Sequence, residues 1–178
     1  MNLQLDDKIA LVTSASKGIG KGVAKALAAE GCEVIITSSN SDNLAAAAAE
    51  IYTETGKEVH THILDARDGA SVETACDQIC SAYPRIDILV SNAPGPATGP
   101  AAELQPAALT NALQVNLGSV VQLCRRFLPG MRERGFGRII NIGSSTGREP
   151  DPNMALSNLT RAAVMAYAKT LSREVAIE

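Results

Sequence analysis

Short apolar segments alternate with longer segments of helical pattern along the whole chain. Segments of helical pattern begin near residues 18, 41, 68 and 106, and a last one covers residues 153–176. Strands that are apolar almost throughout are typical of a parallel sheet covered on both faces. Five runs are predicted to be strands: KIALVTS (8–14), EVIITS (33–38), EVHTHIL (58–64), IDILVSN (86–92) and GRIINIGS (137–144). The alternation predicts a doubly wound parallel α/β sheet with right-handed crossovers, and the fifth strand is expected at an open edge.

Size and charge narrow the function classes. The chain has 178 residues, of which 46% are hydrophobic, so one domain spanning residues 1–178 is expected. A net charge of −3 without a run of Lys or Arg argues against a nucleic-acid partner. No apolar run is long enough to span a membrane and no signal sequence is visible, so a cytoplasmic location is expected. The four cysteines and two histidines are scattered, so no metal site is predicted and the thiols are expected to be reduced.

Two segments lie at the carboxyl ends of predicted strands, where ligands bind in sheets of this kind. The segment VTSASKGIGKGVA follows the first strand and opens the first helix, with Gly18 and Gly20 allowing close approach of a bound group. Free N–H groups and the helix dipole at this point favour a pyrophosphate. From these residues alone, a tight turn without a ligand stays open as an alternative. The loop APGPATGP (93–100) follows the fourth strand.

Five motifs resemble, in order and spacing, those of the short-chain dehydrogenase/reductase family. The turn is similar to the family's T-G-x-x-x-G-x-G through Thr13, Gly18 and Gly20, with Ser14 at the first glycine position. The segment LDARD carries Asp65, which the resemblance identifies with the family's adenine-contacting aspartate.

The other three motifs lie in the second half of the chain. SNAPG resembles the family's Asn-Asn-Ala-Gly after the fourth strand and keeps Asn92 and Ala93. LQVNLGSV carries Asn116, at the position of the helix asparagine that helps to hold a proton-relay water in the family. GRIINIGSSTG carries Ser144, at the position of the catalytic serine.

The resemblance covers the whole chain and implies a Rossmann fold from which the family's C-terminal strands are missing. The dinucleotide-binding domain 1–178 is therefore expected to be truncated. Within the family the chain is most similar to the 3-oxoacyl-[acyl-carrier-protein] reductase-like branch, as an atypical subgroup. The resemblance implies that a cofactor contacts the first turn through Thr13, Ser14, Ser16, Lys17, Gly18, Ile19 and Gly20.

The end of the second strand indicates which nicotinamide cofactor is used. An NAD site requires a carboxylate there to bind the ribose 2′-hydroxyl. None of residues 37–40 is acidic, and the hydroxyls of Ser38 and Ser39 can donate to a 2′-phosphate. Lys17 adds a positive charge beside the turn, although a solvated surface lysine is an equal alternative. Together these features predict NADP(H) rather than NAD(H).

The family's catalytic Tyr-x-x-x-Lys is altered in this chain. Thirteen residues after Ser144, where the tyrosine belongs, stands Ser157, and Arg161 replaces the lysine. A serine hydroxyl is a poor acid–base group, and a guanidinium stays protonated, so Arg161 can hold ribose hydroxyls but cannot relay a proton. Tyr167 lies nearly three helical turns beyond Ser157 and is not expected to replace the phenol. The alternative is a helix-cap and surface pair without a role.

Two functions remain open at this point. The first is an NADP(H)-dependent oxidoreductase that acts on a ketone, a secondary alcohol or an acyl thioester through Asn116, Ser144, Ser157 and Arg161. The second is a nucleotide-binding protein that has lost catalysis and acts through its interfaces. The last helix is apolar around most of its circumference, and the resembling family associates through this helix, so a homodimer or homotetramer is expected.

Overall fold

The computed structural model describes residues 3–176 and contains one five-stranded parallel sheet flanked by helices. The strand order is β3-β2-β1-β4-β5, and the chain reverses its direction of travel across the sheet between β3 and β4. The strands are β1 (Ile9–Val12), β2 (Glu33–Ser38), β3 (Val59–Ile63), β4 (Ile88–Ser91) and β5 (Arg138–Asn141). The helices are α1 (Gly18–Ala29), α2 (Ser41–Thr55), α3 (Gly69–Ala82), α4 (Pro106–Leu113), α5 (Ser119–Glu133) and α6 (Ala155–Val175). The predicted doubly wound sheet is confirmed, and β5 lies at an edge as expected.

The core is divided by the sheet into two clusters. Successive strand residues point to opposite faces, so Leu11 joins the cluster under α3, α5 and α6, whereas Val12 joins the cluster under α1 and α2. Both residues are fully buried, and the same holds for Ile35 and Ile36 in β2. This explains why the central strands carry apolar residues on both faces rather than in alternation.

The segment 106–134 was predicted as one helix. In the structure it is helical at both ends, but its centre departs from regular α-helix. Residues Gln114–Gly118, between α4 and α5, form a π-helical turn. Such a turn widens the helix locally and changes where the following side chains point. The hydroxyl of Ser119 donates to the carbonyl of Val115 at 2.7 Å within this region. The apolar periodicity is continuous through the segment, so it contained no signal for the wider turn.

The turn from β1 into α1 is tightly packed. Ser14 and Gly18 both adopt the left-handed region, with φ of 47° and 58°. Gly20 faces the turn so closely that a Cβ atom there would lie 2.7 Å from the carbonyl oxygen of Ser14 and 2.8 Å from Nδ2 of Asn92. Gly22, two residues along the same helix, has open space around it.

We expect Gly20→Ala and Gly22→Ala to change stability in opposite directions. Gly20→Ala overpacks the turn and is expected to lower the free energy of unfolding by about 1–3 kcal/mol. Gly22→Ala removes the flexibility of an exposed helical glycine and should raise it by about 0.5–1 kcal/mol. Urea unfolding of both variants measures the difference. Equal effects of the two substitutions would contradict the close packing at Gly20.

Candidate active site

The carboxyl ends of β1 and β4 are joined by hydrogen bonds at the point where the strand order reverses. The hydroxyl of Thr13 donates to the carbonyl of Asn92 at 2.7 Å, and the N–H of Asn92 donates back to Oγ1 of Thr13 at 2.9 Å. The amide Nδ2 of Asn92 donates to the carbonyl of Ser14 at 3.1 Å. These bonds fix the floor of the crevice in which doubly wound sheets bind ligands.

The start of α1 offers free donors to an anion. The side chains of Asn40 and Asp68 cap α2 and α3, whereas Lys17 at the start of α1 makes no side-chain cap bond. Within the described chain, the first turn of α1 contains no acidic residue. Uncapped N–H groups at the positive end of a helix dipole fit a pyrophosphate. Ile19 is 66% exposed beside them, which leaves an apolar surface for a ligand to cover.

Ser14 stands where the resembling family has glycine and adopts a glycine-like backbone conformation. A left-handed φ costs a non-glycine residue about 1 kcal/mol. The turn therefore keeps the shape of the family's turn despite the added side chain.

The end of β2 carries hydroxyls at the predicted 2′-phosphate position. Ser16 donates from its hydroxyl to Oγ of Ser38 at 3.0 Å, so these two predicted contacts lie together. Ser39 is exposed beside them. The next acid along the chain, Asp42, lies within the first turn of α2.

Asp65 is held by a neighbour that the sequence analysis did not single out. The guanidinium of Arg67 donates to Oδ1 of Asp65 at 2.9 Å and to Oδ2 at 2.8 Å. These hydrogen bonds hold the pKa of the Asp65 carboxyl below its usual range. Arg67 also lines a cavity of about 220 Å³ between the proline-rich loop and α4, which Ala112 and Asn116 line as well.

Asn116 lies fully buried in the π-helical turn. Its Nδ2 donates to the carbonyl of Ala112 at 3.2 Å, but its Oδ1 has no hydrogen-bond partner among residues 3–176. A buried amide oxygen without a partner is costly. The position therefore fits a bound water, which is what the resemblance implies for this asparagine.

Three hydroxyls form a connected group at the carboxyl end of β5. Ser144 caps a single 3₁₀ turn, residues Ser145–Gly147, and accepts from the N–H of Thr146 at 3.3 Å. The hydroxyl of Thr146 donates to Oγ of Ser144 at 3.0 Å and lies 2.9 Å from Oγ of Ser157. The two predicted serines are therefore linked through a residue that the sequence analysis missed. The only available signal was the run of hydroxyl residues in SST directly after β5.

Arg161 is buried to 8% exposure and bonds to two loops at once. Its guanidinium donates to the carbonyl of Ile142 after β5 at 3.0 Å and to the carbonyl of Ala93 after β4 at 3.4 Å. Burial lowers its pKa, and no carboxylate of the described residues lies within ion-pair distance. A buried cation without an acid partner is costly. The surface position in the alternative of a cap and surface pair is wrong, since Ser157 and Arg161 of α6 are both buried, whereas a role for the pair stays a prediction.

Tyr167 lies away from these hydroxyls. It packs against the core cluster beside Cys124, and burial raises the pKa of its phenol to about 12. In the part of the chain that the structure describes, no group of three or more His, Cys, Asp or Glu side chains is placed to bind a metal ion. The described helices also include none that is long and apolar enough to cross a membrane.

Known proteins are similar to this chain in sequence and in fold. A model of the short chain dehydrogenase family matches residues 8–178. A 2-dehydro-3-deoxy-L-rhamnonate dehydrogenase (NAD(+)) of Sphingomonas is 34% identical over 95% of the chain, which covers 66% of that relative. The 3-oxoacyl-[acyl-carrier-protein] reductase FabG of Escherichia coli is 34% identical over 98% of the chain, which covers 70% of it.

A solved structure gives the same result for the fold. The L-sorbose reductase of Gluconobacter frateurii, complexed with NADPH and L-sorbose, superposes with a TM-score of 0.93 at 30% identity. The match covers 98% of this chain and 66% of that protein. The chain thus spans about two thirds of the length of these relatives. By sequence and by its Rossmann-type sheet, the chain belongs to the short-chain dehydrogenase family.

Proposed function

We propose that the protein is an NADP(H)-dependent oxidoreductase that moves a hydride between the cofactor and a carbonyl or secondary alcohol carbon. The observation that carries this proposal is Arg161, which joins the loops after β4 and β5 beside the linked hydroxyls of Ser144 and Ser157. A buried guanidinium without a carboxylate partner suits a site that receives an electronegative group.

The chain supplies binding and polarisation in this proposal, whereas the nicotinamide supplies or accepts the hydride. The N–H groups that open α1 hold the pyrophosphate. As the resemblance implies, Asp65 contacts the adenine, and Asn92 and Ala93 contact the cofactor. Ser144 donates a hydrogen bond to the substrate oxygen. Arg161 holds ribose hydroxyls, and its charge stabilises the negative charge that develops on that oxygen.

The proton cannot come from the family's usual group. Ser157 is too weak an acid, and a water held by the unpaired Oδ1 of Asn116 is the donor that the arrangement supports best. Loss of a matched acid–base group lowers rates by about 10² to 10⁴. We therefore infer a slow reductase.

The proposed substrate class follows from the hydride transfer itself and not from the shape of a binding pocket. A ketone, a secondary alcohol or a 3-oxoacyl thioester places a carbon and an oxygen where Ser144 can polarise them. The relatives named above are a sugar-acid dehydrogenase, an oxoacyl reductase and a sorbose reductase. We therefore propose a carbonyl compound, or the corresponding secondary alcohol, as the substrate class of this protein.

A nucleotide-binding protein without catalysis is the second candidate. The observation that favours it is the position of the tyrosines: Tyr52 lies exposed on α2, Tyr83 lies beside His60 of the β3 edge, and Tyr167 lies beside Cys124. None of these phenols, all within the described residues, bonds to Ser144 or Ser157.

We expect Ser144→Ala to lower kcat/KM for NADPH-dependent ketone reduction by about 10²-fold, because the donor to the substrate oxygen is lost. The double variant Ser157→Tyr/Arg161→Lys should raise the rate by about 10²-fold or more. The decrease in NADPH absorbance with a panel of ketones and oxoacyl thioesters measures the rates of both variants.

Ser172→Ala, on α6 together with Ser157 and Arg161, is the control and should leave the rate of NADPH-dependent reduction unchanged. NADPH binding without turnover, in the wild type and in the double variant alike, would select the second candidate.

We expect the wild type to bind NADPH at least about tenfold more tightly than NADH, which corresponds to about 1.4 kcal/mol. Ser38→Asp adds a carboxylate at the end of β2, repels the 2′-phosphate and should reverse this order. Ser38→Asn has a similar size without the charge and serves as the control. Fluorescence titration with both cofactors decides, and equal affinities in the wild type would contradict the preference for NADP(H).

We propose association into a homodimer or homotetramer through the outer face of α6. Leu159 and Met165 are 49% and 43% exposed there, and Ala162 and Ala166 continue the same apolar stripe. Light scattering after gel filtration should give a dimer or tetramer, and Leu159→Glu with Met165→Glu should give a monomer. Tyr52→Glu, at an exposed aromatic on α2, is the control. A monomeric wild type at micromolar concentration rejects the proposal.

A further inference from the structure

We infer that Thr146 is a positioning residue that fixes the hydroxyl of Ser144 as a hydrogen-bond donor to the substrate oxygen. The inference rests on the proposed function, because it assigns a task within the same site. It concerns a residue that lies in the segment GRIINIGSSTG, where the resemblance gives a role to Ser144 and none to Thr146.

The direction of each hydrogen bond follows from counting protons and lone pairs. A serine hydroxyl has one proton to donate and two lone pairs to accept with. Both lone pairs of Ser144 Oγ are used, by the N–H of Thr146 at 3.3 Å and by the hydroxyl of Thr146 at 3.0 Å. The proton of Ser144 is therefore the only hydrogen-bonding capacity left at this oxygen. Ser144 can therefore bind a substrate oxygen only as the hydrogen-bond donor.

The same count assigns the bond between Thr146 and Ser157. Geometry alone leaves the donor open, since the two oxygens lie 2.9 Å apart. Thr146 has one hydroxyl proton and gives it to Ser144. Ser157 is therefore the donor, and the order of donation is Ser157 to Thr146 to Ser144 to substrate. Hydrogen bonds in such a chain polarise one another, so the last donor is strengthened.

This order gives Ser157 a task that differs from that of the tyrosine it replaces. Ser157 acts behind Thr146 and does not reach the substrate. Its hydroxyl keeps Thr146 in the orientation that donates to Ser144. Ser157, at the position of the family's tyrosine, thus supports Ser144 and does not donate a proton to the substrate itself.

Packing holds Thr146 in place. Thr146 and Ser157 are only 4% and 6% exposed, so water does not compete for their hydroxyls. A Cβ atom on Gly147 would lie 2.8 Å from the carbonyl carbon of Arg161, so the 3₁₀ turn is pressed directly against α6. The β-branched side chain of threonine also restricts its rotation about χ1.

Two substitutions at one position test the inference in the full chain. Thr146→Val keeps the shape and removes the hydroxyl, and we expect it to lower kcat about tenfold, the value of one hydrogen bond lost from the transition state. KM for the ketone and Kd for NADPH should change less than about threefold, because the loss falls on the transition state. Thr146→Ser restores the hydroxyl and should recover kcat to within about threefold. A structural role alone would not be rescued by the smaller serine.

The outcomes separate the inference from the function on which it rests. Wild-type turnover with an unchanged kcat in Thr146→Val overturns the inference and leaves the oxidoreductase in place. An absence of wild-type turnover overturns the proposed function. Crystal structures of the wild type and of Thr146→Val then test whether Thr146 fixes the Ser144 hydroxyl. One Ser144 rotamer in the wild type and several in Thr146→Val support the inference, whereas one unchanged rotamer in both overturns it. If Thr146→Val does not fold, Ser157→Ala takes its place, with an expected kcat loss of about threefold, and an unchanged kcat overturns the inference.

Discussion

Two hydrogen bonds between Thr13 and Asn92 join the ends of the two central strands, and the geometry of the site depends on them. Their distances of 2.7 and 2.9 Å, together with the bond from Asn92 to Ser14, leave the first turn little freedom. Gly20 fills the remaining space so closely that it admits no side chain. The free N–H groups of α1 therefore face the crevice from a fixed position. A rigid donor set of this kind binds an anion without the cost of ordering a loop.

The sequence predicted the sheet well because its central strands bury both faces and its turns carry strong markers. Short runs such as EVIITS, with an apolar centre, admit few assignments, and the motifs placed Asn92 and Ser144 at the carboxyl edge and Asn116 on a helix. The π-helical turn around Asn116 was not predictable, since no local pattern in the segment 106–134 marks it. Thr146 was missed for a similar reason, because its role depends on a contact with Ser157 eleven residues away.

The burial of Ser157 and Arg161 also required the structure. The small residues of α6 blur its apolar periodicity, so the buried face could not be assigned from spacing. The structure shows both residues turned inward, with Arg161 bonded to main-chain carbonyls and no acid of residues 3–176 beside it. Under the proposed function, a hydroxyl chain and a fixed positive charge stand where the resembling motif has a phenol and an amine. Polarisation of a carbonyl survives this exchange better than proton transfer does.

Hydrogen exchange of the backbone amides, with and without saturating NADPH, tests the central claim most directly. The proposed function places the cofactor phosphates against the N–H groups that open α1. The amides of Gly18, Ile19 and Gly20 should therefore exchange more slowly in the presence of NADPH. The amides of Glu54 and Thr55, at the carboxyl end of α2 and therefore on the opposite edge of the sheet, serve as an internal reference. Unchanged exchange at Gly18, Ile19 and Gly20, with or without binding elsewhere, would contradict the account.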